Sequence, residues 1–372
     1  MTARYRFDLA QAADDDDLRA ILAATPMPGM VTVGFRRDPS YFGASVVDGR
    51  FRQMIVARDD TAGRIVAFGT RSISNRYVNG RPQPIGYLSN LRVLPEHRRG
   101  RLVGLGYTLL HKLHEDRRTP LYLTTIAQGN RTALGVLTAG RAGLPTYHLA
   151  GCYYTAVIGL TRERGRRSPR AGIEIRAAQG SDVSAILDFL QAIGPRRQFF
   201  PCYGAEDFFT ADGLLRGLRC EDLLLAFCGN RLVGTLAAWD QSTFRQIVIQ
   251  AYGKPLRWLR PLYNCWAGFR GRPQLPKPGS PMRCLIAALL LVGDDDPEVF
   301  GALLDAIIHA RSGQSWDQLL LGMHQSDPLL PALQEYQADR YTTQVYLACW
   351  EDGEDLRRAL DGRPLYLELG SL

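Results

Sequence analysis

At 372 residues the chain is too long for one ordinary domain and suits two, and 46% apolar with 22% charged residues is a globular composition. The longest apolar run, Cys284 to Val292, is far short of the ~20 residues of a membrane helix, and Met1 to Tyr5 lacks a signal-peptide pattern, so no transmembrane segment and a cytoplasmic protein are expected. Seven scattered cysteines without CxxC and six histidines without HExxH predict reduced thiols and no metal, while a net charge of +8 suits anionic ligands.

In chain order, Ala12-Ala13 and Asp17-Leu18 open an acidic N-cap region and an amphipathic helix ending near Leu22. A strand over Met54 to Ala57, a turn at Gly63-Arg64 and a strand over Tyr87 to Leu94 follow. A helix at 104–117, a strand at Leu121 to Thr125, a helix at about 130–139 and strands within 146–160 complete this half. The order implies an α/β fold with a mixed sheet packed against helices. Residues 161–172 carry five arginines against one glutamate and read as a solvated linker. No aromatic residues interleave there for base stacking, so no nucleic-acid partner is expected.

The second half, 173–372, reads as a copy of the first, 1–160. Asp17-Leu18 and Ala20 to Leu22 align with Asp182-Val183 and Ala185 to Leu187, an offset of 165. Gly63 to Ala67 aligns with Asn230 to Gly234, an offset of 167. The second copy carries an insertion at about 241–283, where Trp258, Tyr263, Trp266 and Phe269 accompany Arg257, Arg260 and Arg270. This reads as a lid, a partner-binding helix, a membrane-surface contact or an insertion packed on its own domain.

The segment with the most chemistry runs from Tyr87 to Leu110. Pro95 ends a strand, a loop bearing Arg98, Arg99 and Arg101 follows, and a helix opens through Leu102, Val103, Gly104, Leu105 and Gly106. Free N–H groups of a first helical turn, with the helix dipole, favour an anion. The two glycines would let it approach the backbone, and the arginines add charge-assisted bonds. No Gly-Lys-Ser/Thr or GxGxxG is present, so neither a Walker A loop nor a dinucleotide fingerprint is read.

Arg101-Leu102-Val103-Gly104-Leu105-Gly106 resembles the Gln/Arg-x-x-Gly-x-Gly/Ala motif of the GCN5-related N-acetyltransferases (GNAT). The resemblance is close over 85–135 and looser over 5–160, and implies two tandem domains of that fold, each a mixed, mostly antiparallel sheet flanked by helices, with a degenerate second copy. It implies acetyl-CoA or another acyl-CoA as donor, no metal, and a small-molecule or peptide amine as acceptor. Leu102 to Gly106 would hold the CoA pyrophosphate, Leu91 and Val93 would line the pantetheine, Val93 would supply the oxyanion N–H, and Asn130 would contact the cofactor arm.

This sequence departs from the family where catalysis would sit. Leu137 stands where a general-acid tyrosine is common, and Ser89 and Asn90 where some members carry a glutamate base. Tyr147 and Tyr153, with Tyr154, are the remaining candidates to protonate a thiolate, and His324, Asp327 and Glu335 are candidate acceptor-side bases. Three aspartates at 294–296 would repel a pyrophosphate from the second copy. An acyltransferase is expected, the alternative being a CoA-binding sensor or interaction protein without turnover.

Overall fold

The structure, a computed structural model, describes residues 4–98, 102–140, 143–160, 172–269, 274–336 and 338–372. The linker arginines at 161–171 lie outside them, as do Arg99, Gly100 and Arg101.

In the first half β1 (Tyr5–Leu9) leads to α1 (Asp15–Ala24), whose Leu18, Ile21 and Leu22 recur at helical spacing and are buried. β2 (Val31–Arg36) and the short α2 (Tyr41–Ala44) precede β3 (Phe51–Asp59), β4 (Arg64–Val78) and β5 (Arg81–Val93). Then come α3 (Leu102–His114), β6 (Tyr122–Ala127), α4 (Arg131–Leu137) and β7 (Thr146–Gly159). Asn79 and Gly80, both at positive φ, make the two-residue turn joining β4 to β5.

The second half repeats this series with β8 (Ile173–Ala177), α5 (Val183–Ile193), β9 (Leu223–Cys228) and β10 (Arg231–Trp239). Where the first half has its tight turn, the second inserts β11 (Gln246–Tyr252) and α6 (Lys254–Phe269). β12 (Cys284–Val292), α7 (Pro297–Arg311), β13 (Gln318–His324), α8 (Leu330–Gln334), β14 (Asp339–Cys349) and α9 (Glu354–Arg358) complete the chain.

The copies are in a register that the alignment of Asp17 with Asp182 misplaces by three residues. Asp14 accepts the Gln11 N–H at 2.8 Å, and Asp182 accepts the Gln179 N–H at 2.8 Å, so Asp14 is the true counterpart. Four consecutive aspartates, Asp14 to Asp17, offered four registers, and only the capping geometry selects one. Farther on, β4 begins at Arg64 and β10 at Arg231, as aligned.

The two mixed, mostly antiparallel sheets are joined into one of twelve strands, in the order β1-β3-β4-β5-β6-β14-β7-β13-β12-β10-β9-β8. The order is symmetric about the β14–β7 pair because the halves exchange their last strands. β14 lies beside β6 of the first half, with Thr343 opposite Ala127, and β7 lies beside β13 of the second, with Tyr153 opposite His324. A separate ribbon pairs β2 with β11, again one strand from each half. Apolar side chains on both faces of the sheet form the core, with α3 and α4 over Leu88, Tyr122 and Ile126, and α7 over β10 and β12.

Candidate functional site

β5 and β6 are parallel and pair only at Gly86–Tyr122 and Tyr87–Leu123 before they part into a notch. A β-bulge begins the separation: Asn90 and Leu91 together face Gly69, and Asn90 has φ 53°. Asn tolerates this left-handed region better than most residues, and the bulge re-aims the strand's N–H groups. Past it Leu91 is exposed, and Val93 lies opposite Ala67 with its carbonyl accepting from Arg98 Nε at 3.2 Å.

The start of α3 lies beyond this strand end. Leu102 is buried and Val103 packs against the core, whereas Gly104 and Leu105 face outward. A Cβ on Gly104 would meet nothing within 4 Å, and one on Gly106 would meet the Phe7 ring at 3.5 Å. The first turn thus exposes bare backbone, the geometry an anion needs.

Other sequence candidates sit elsewhere. Asn130 is the N-cap of α4, its Oδ1 accepting from Ala133 N at 3.1 Å, and Leu137 is the buried last residue of that helix. The Tyr147 and Tyr107 hydroxyls bond to each other at 2.5 Å, and Tyr153 donates to the Leu367 carbonyl at 2.9 Å. Burial raises both Tyr147 and Tyr153 well above the ordinary phenol pKa, so both keep their protons, but their hydroxyls are engaged in internal bonds. Tyr154 is half-buried in β7.

The acceptor-side candidates in the second half are held by its own structure. His324 is buried, with Nδ1 2.7 Å from Ser326 Oγ and Nε2 3.1 Å from the Ala150 carbonyl, and burial lowers its pKa. A ring with both nitrogens engaged is a structural group, not a free base. Asp327 caps the following turn through Leu329 N at 2.9 Å, and Glu335 lies exposed at the end of α8. His148, Cys349 and Glu354 bring three metal-ligating atoms within 4.8 Å of one another. Glu354 is held down to about 2, chiefly by Arg357, and burial pushes the Cys349 thiol to about 12.

The face of the notch toward α1 and α2 holds a basic cluster that sequence reasoning missed. Arg37 makes two bonds to Asp48, at 2.9 and 3.2 Å, and Arg245 of the second half shares the same carboxylate. Burial lowers the Arg245 pKa to about 10. Arg92, next to Leu91, reaches the Thr25 carbonyl at 3.4 Å and lies 5.8 Å from the Phe35 ring, but its Nε is buried without a partner. Burial lowers its pKa as well, and Arg37 adds to the effect. Nothing in sequence spacing could have joined Arg37 and Asp48 to Arg245; only the β2–β11 ribbon does.

The second half has its own notch, and it is filled. β12 and β13 pair from Cys284–Gln318 to Ile286–Leu320 and then part, with Leu289 (φ 52°) at a bulge matching Asn90. There the Leu289 N–H donates to buried Glu368 at 2.9 Å, and Tyr366 donates to the same oxygen at 2.9 Å. Just before α7, Asp296 caps Glu298 N at 2.8 Å, and Asp294 and Asp295 pair with Arg196 and Arg197.

Splayed parallel strands, a bulged strand and a helix that follows it occur twice in one chain. No family model and no curated protein matches the sequence. Solved structures do. Over 99% of this chain and 87% of its own length, Saccharomyces cerevisiae N-myristoyltransferase with bound myristoyl-CoA and inhibitors superposes with a TM-score of 0.61 at 11% identity. The fold is that of the GCN5-related N-acetyltransferases. A GCN5-related N-acetyltransferase from Sphaerobacter thermophilus gives 0.57 at 12% identity, over 99% of both chains. The glucosamine N-acetyltransferase region of a fungal multi-domain beta-N-acetylglucosaminidase gives 0.64 at 11% identity over 93% of this chain. This chain spans 38% of that enzyme's length. In this GNAT arrangement the motif at 102–106 falls on the helix that follows the bulged strand, and no helix among the described residues is long and apolar enough to cross a membrane.

Proposed function

We propose that the chain is an acyltransferase that binds acyl-CoA in the first half alone and passes the acyl group to an amine. One observation carries the reading: the two notches are equivalent, yet the second is occupied by Glu368 and its helix opens on Asp296, whereas the helix beside the first bears glycines at 104 and 106 with open space around Gly104. Bare backbone at Gly104 and Gly106 fits a pyrophosphate, with Arg98, Arg99 and Arg101 as counter-charges and Asn130 beside the cofactor arm. When bound, acyl-CoA supplies an activated thioester.

In this reading the chain's own groups orient and stabilise. The match of Asn90 with Leu289, whose N–H meets a carboxylate, supports the Asn90 N–H beside that of Val93 as a donor to the developing oxyanion. The acceptor enters from the side of α1 and α2, where Arg92 has an unpartnered Nε, which suits an amine that also carries a carboxylate or phosphate. A sensor without turnover is the second reading, favoured by the internal bonds of Tyr147 and Tyr153.

Calorimetry with CoA on the wild type and on Gly104→Asp tests binding, since a carboxylate in the first turn of α3 would repel a pyrophosphate. Loss of at least about tenfold in affinity with an unchanged fold supports the site, and equal affinity overturns it. Free-thiol release from acetyl-CoA and longer acyl-CoAs over a panel of amines separates transferase from sensor.

A further inference from the structure

From Gln241 to Gly293 the chain has no Asp or Glu and eight Lys or Arg, as many as its whole net charge of +8. The centre of this stretch is α6, whose two sides differ sharply. The inner side is pinned to the protein: Ala267 is buried, Asn264 and the Leu275 backbone exchange hydrogen bonds at 2.8 and 3.0 Å, and Arg260 Nε donates to the Leu275 carbonyl at 3.1 Å.

The outer side is apolar and uncovered. Trp258, Leu262 and Phe269 are 80%, 70% and 88% exposed, and their spacing of four and seven places them in one stripe. Leu259 and Trp266 flank that stripe, and Lys254 and Arg257 are exposed on its other margin. Met30, also exposed, sits at the foot of the helix, where its carbonyl accepts the Gly253 N–H at 2.8 Å. Single exposed apolar residues are ordinary, but a contiguous stripe of this size marks a surface that is covered in use.

We propose that α6 is an interfacial helix that lies flat on an anionic lipid bilayer. The helix is about 24 Å long at 1.5 Å per residue and stays in the plane of the interface, because its inner side remains packed on the protein. Trp258, Leu262 and Phe269 enter the boundary between headgroups and acyl chains. Lys254 and Arg257 meet the phosphates. Arg245 is buried against Asp48 and Arg260 is held on the inner side, but Lys254, Arg257 and Lys277 are exposed and no carboxylate interrupts the stretch, which selects an anionic sheet of charge rather than a shaped groove. This inference stands apart from the acyl-CoA reading and does not depend on it.

Co-sedimentation of the full chain with phosphatidylcholine vesicles, and with equal mixtures of phosphatidylcholine and phosphatidylglycerol, tests it. The expected result is binding to the mixed vesicles only, weakened by salt, with a blue shift of tryptophan emission. The triple variant Trp258→Ser/Leu262→Ser/Phe269→Ser should keep its circular dichroism and melting temperature, since these side chains are exposed, and should lose at least about tenfold in partition. Lys254→Glu/Arg257→Glu should lose binding while the apolar stripe remains. Partition of the triple variant equal to wild type, or no preference of the wild type for anionic vesicles, overturns the proposal. So does self-association in gel filtration that the triple variant abolishes while no vesicle binding occurs, an outcome that would make the stripe a contact between copies.

Discussion

The backbone N–H of Leu289 donates to the carboxylate of Glu368 at 2.9 Å, and Leu289 is the positional twin of Asn90 in the other half. The second notch therefore has a resident carboxylate at its bulge, delivered by the segment after α9. Tyr203 also reaches this carboxylate, at 3.4 Å.

Truncating that carboxylate should be costly. Glu368→Ala strands a buried N–H and two tyrosine hydroxyls, and is expected to destabilise the chain by about 2–4 kcal/mol in urea unfolding. A loss within experimental error of zero would show that water replaces the carboxylate, and that this notch is not sealed.

The same group gives a pH dependence. Burial raises the Glu368 pKa in the fold, so the folded state holds its proton more tightly than the unfolded chain. Its contribution is fully present below the unfolded pKa of about 4.3 and is lost as pH rises toward the folded value. Wild type should thus lose melting temperature relative to Glu368→Gln as the pH is raised from about 4 toward neutrality. Parallel curves would refute the assignment.

Gly104 separates stability from ligand binding. A methyl there meets no atom within 4 Å, and alanine favours helix over glycine, so Gly104→Ala should stabilise by about 0.5–1 kcal/mol. If CoA uses this turn, the same methyl weakens its binding, and calorimetry should show affinity falling while the melting temperature rises.

The basic cluster should respond in opposite ways to two substitutions. Asp48→Asn leaves Arg37 and Arg245 as buried, uncompensated cations, and a loss of about 3–5 kcal/mol is expected. Arg92→Met removes a charge that no carboxylate offsets, so its melting temperature should hold or rise. In the proposed enzyme Arg92→Met should also raise the KM for an acidic acceptor while sparing a neutral one.

Much of the fold was legible because its signals are local. Apolar spacing placed α3 and the C-terminal end of β5 within a few residues, and the ordered set of strand, basic loop and glycine-bearing helix pointed to the fold. What escaped were relationships set by long-range pairing. Arg245 meets Asp48 only because β11 pairs with β2, and Tyr153 meets the Leu367 carbonyl only because β7 crosses to the other half. Asn90 drew notice as a missing glutamate, whereas its role in the backbone is to bulge. The second notch could not be foreseen as filled, since Glu368 lies far from Leu289 in sequence.

The exchange of last strands also dictates the order in which the protein can fold. β6 and β7 are translated early, yet each is flanked in the finished sheet by a strand from the second half: β14 lies between them, with Ala127 opposite Thr343. Until Asp339–Cys349 has left the ribosome, the nascent first half exposes unpaired strand edges, and a half-made chain can mispair with a neighbour. The sheet can therefore be completed only after β14 has been made, and the first half cannot finish folding while the second is still being made.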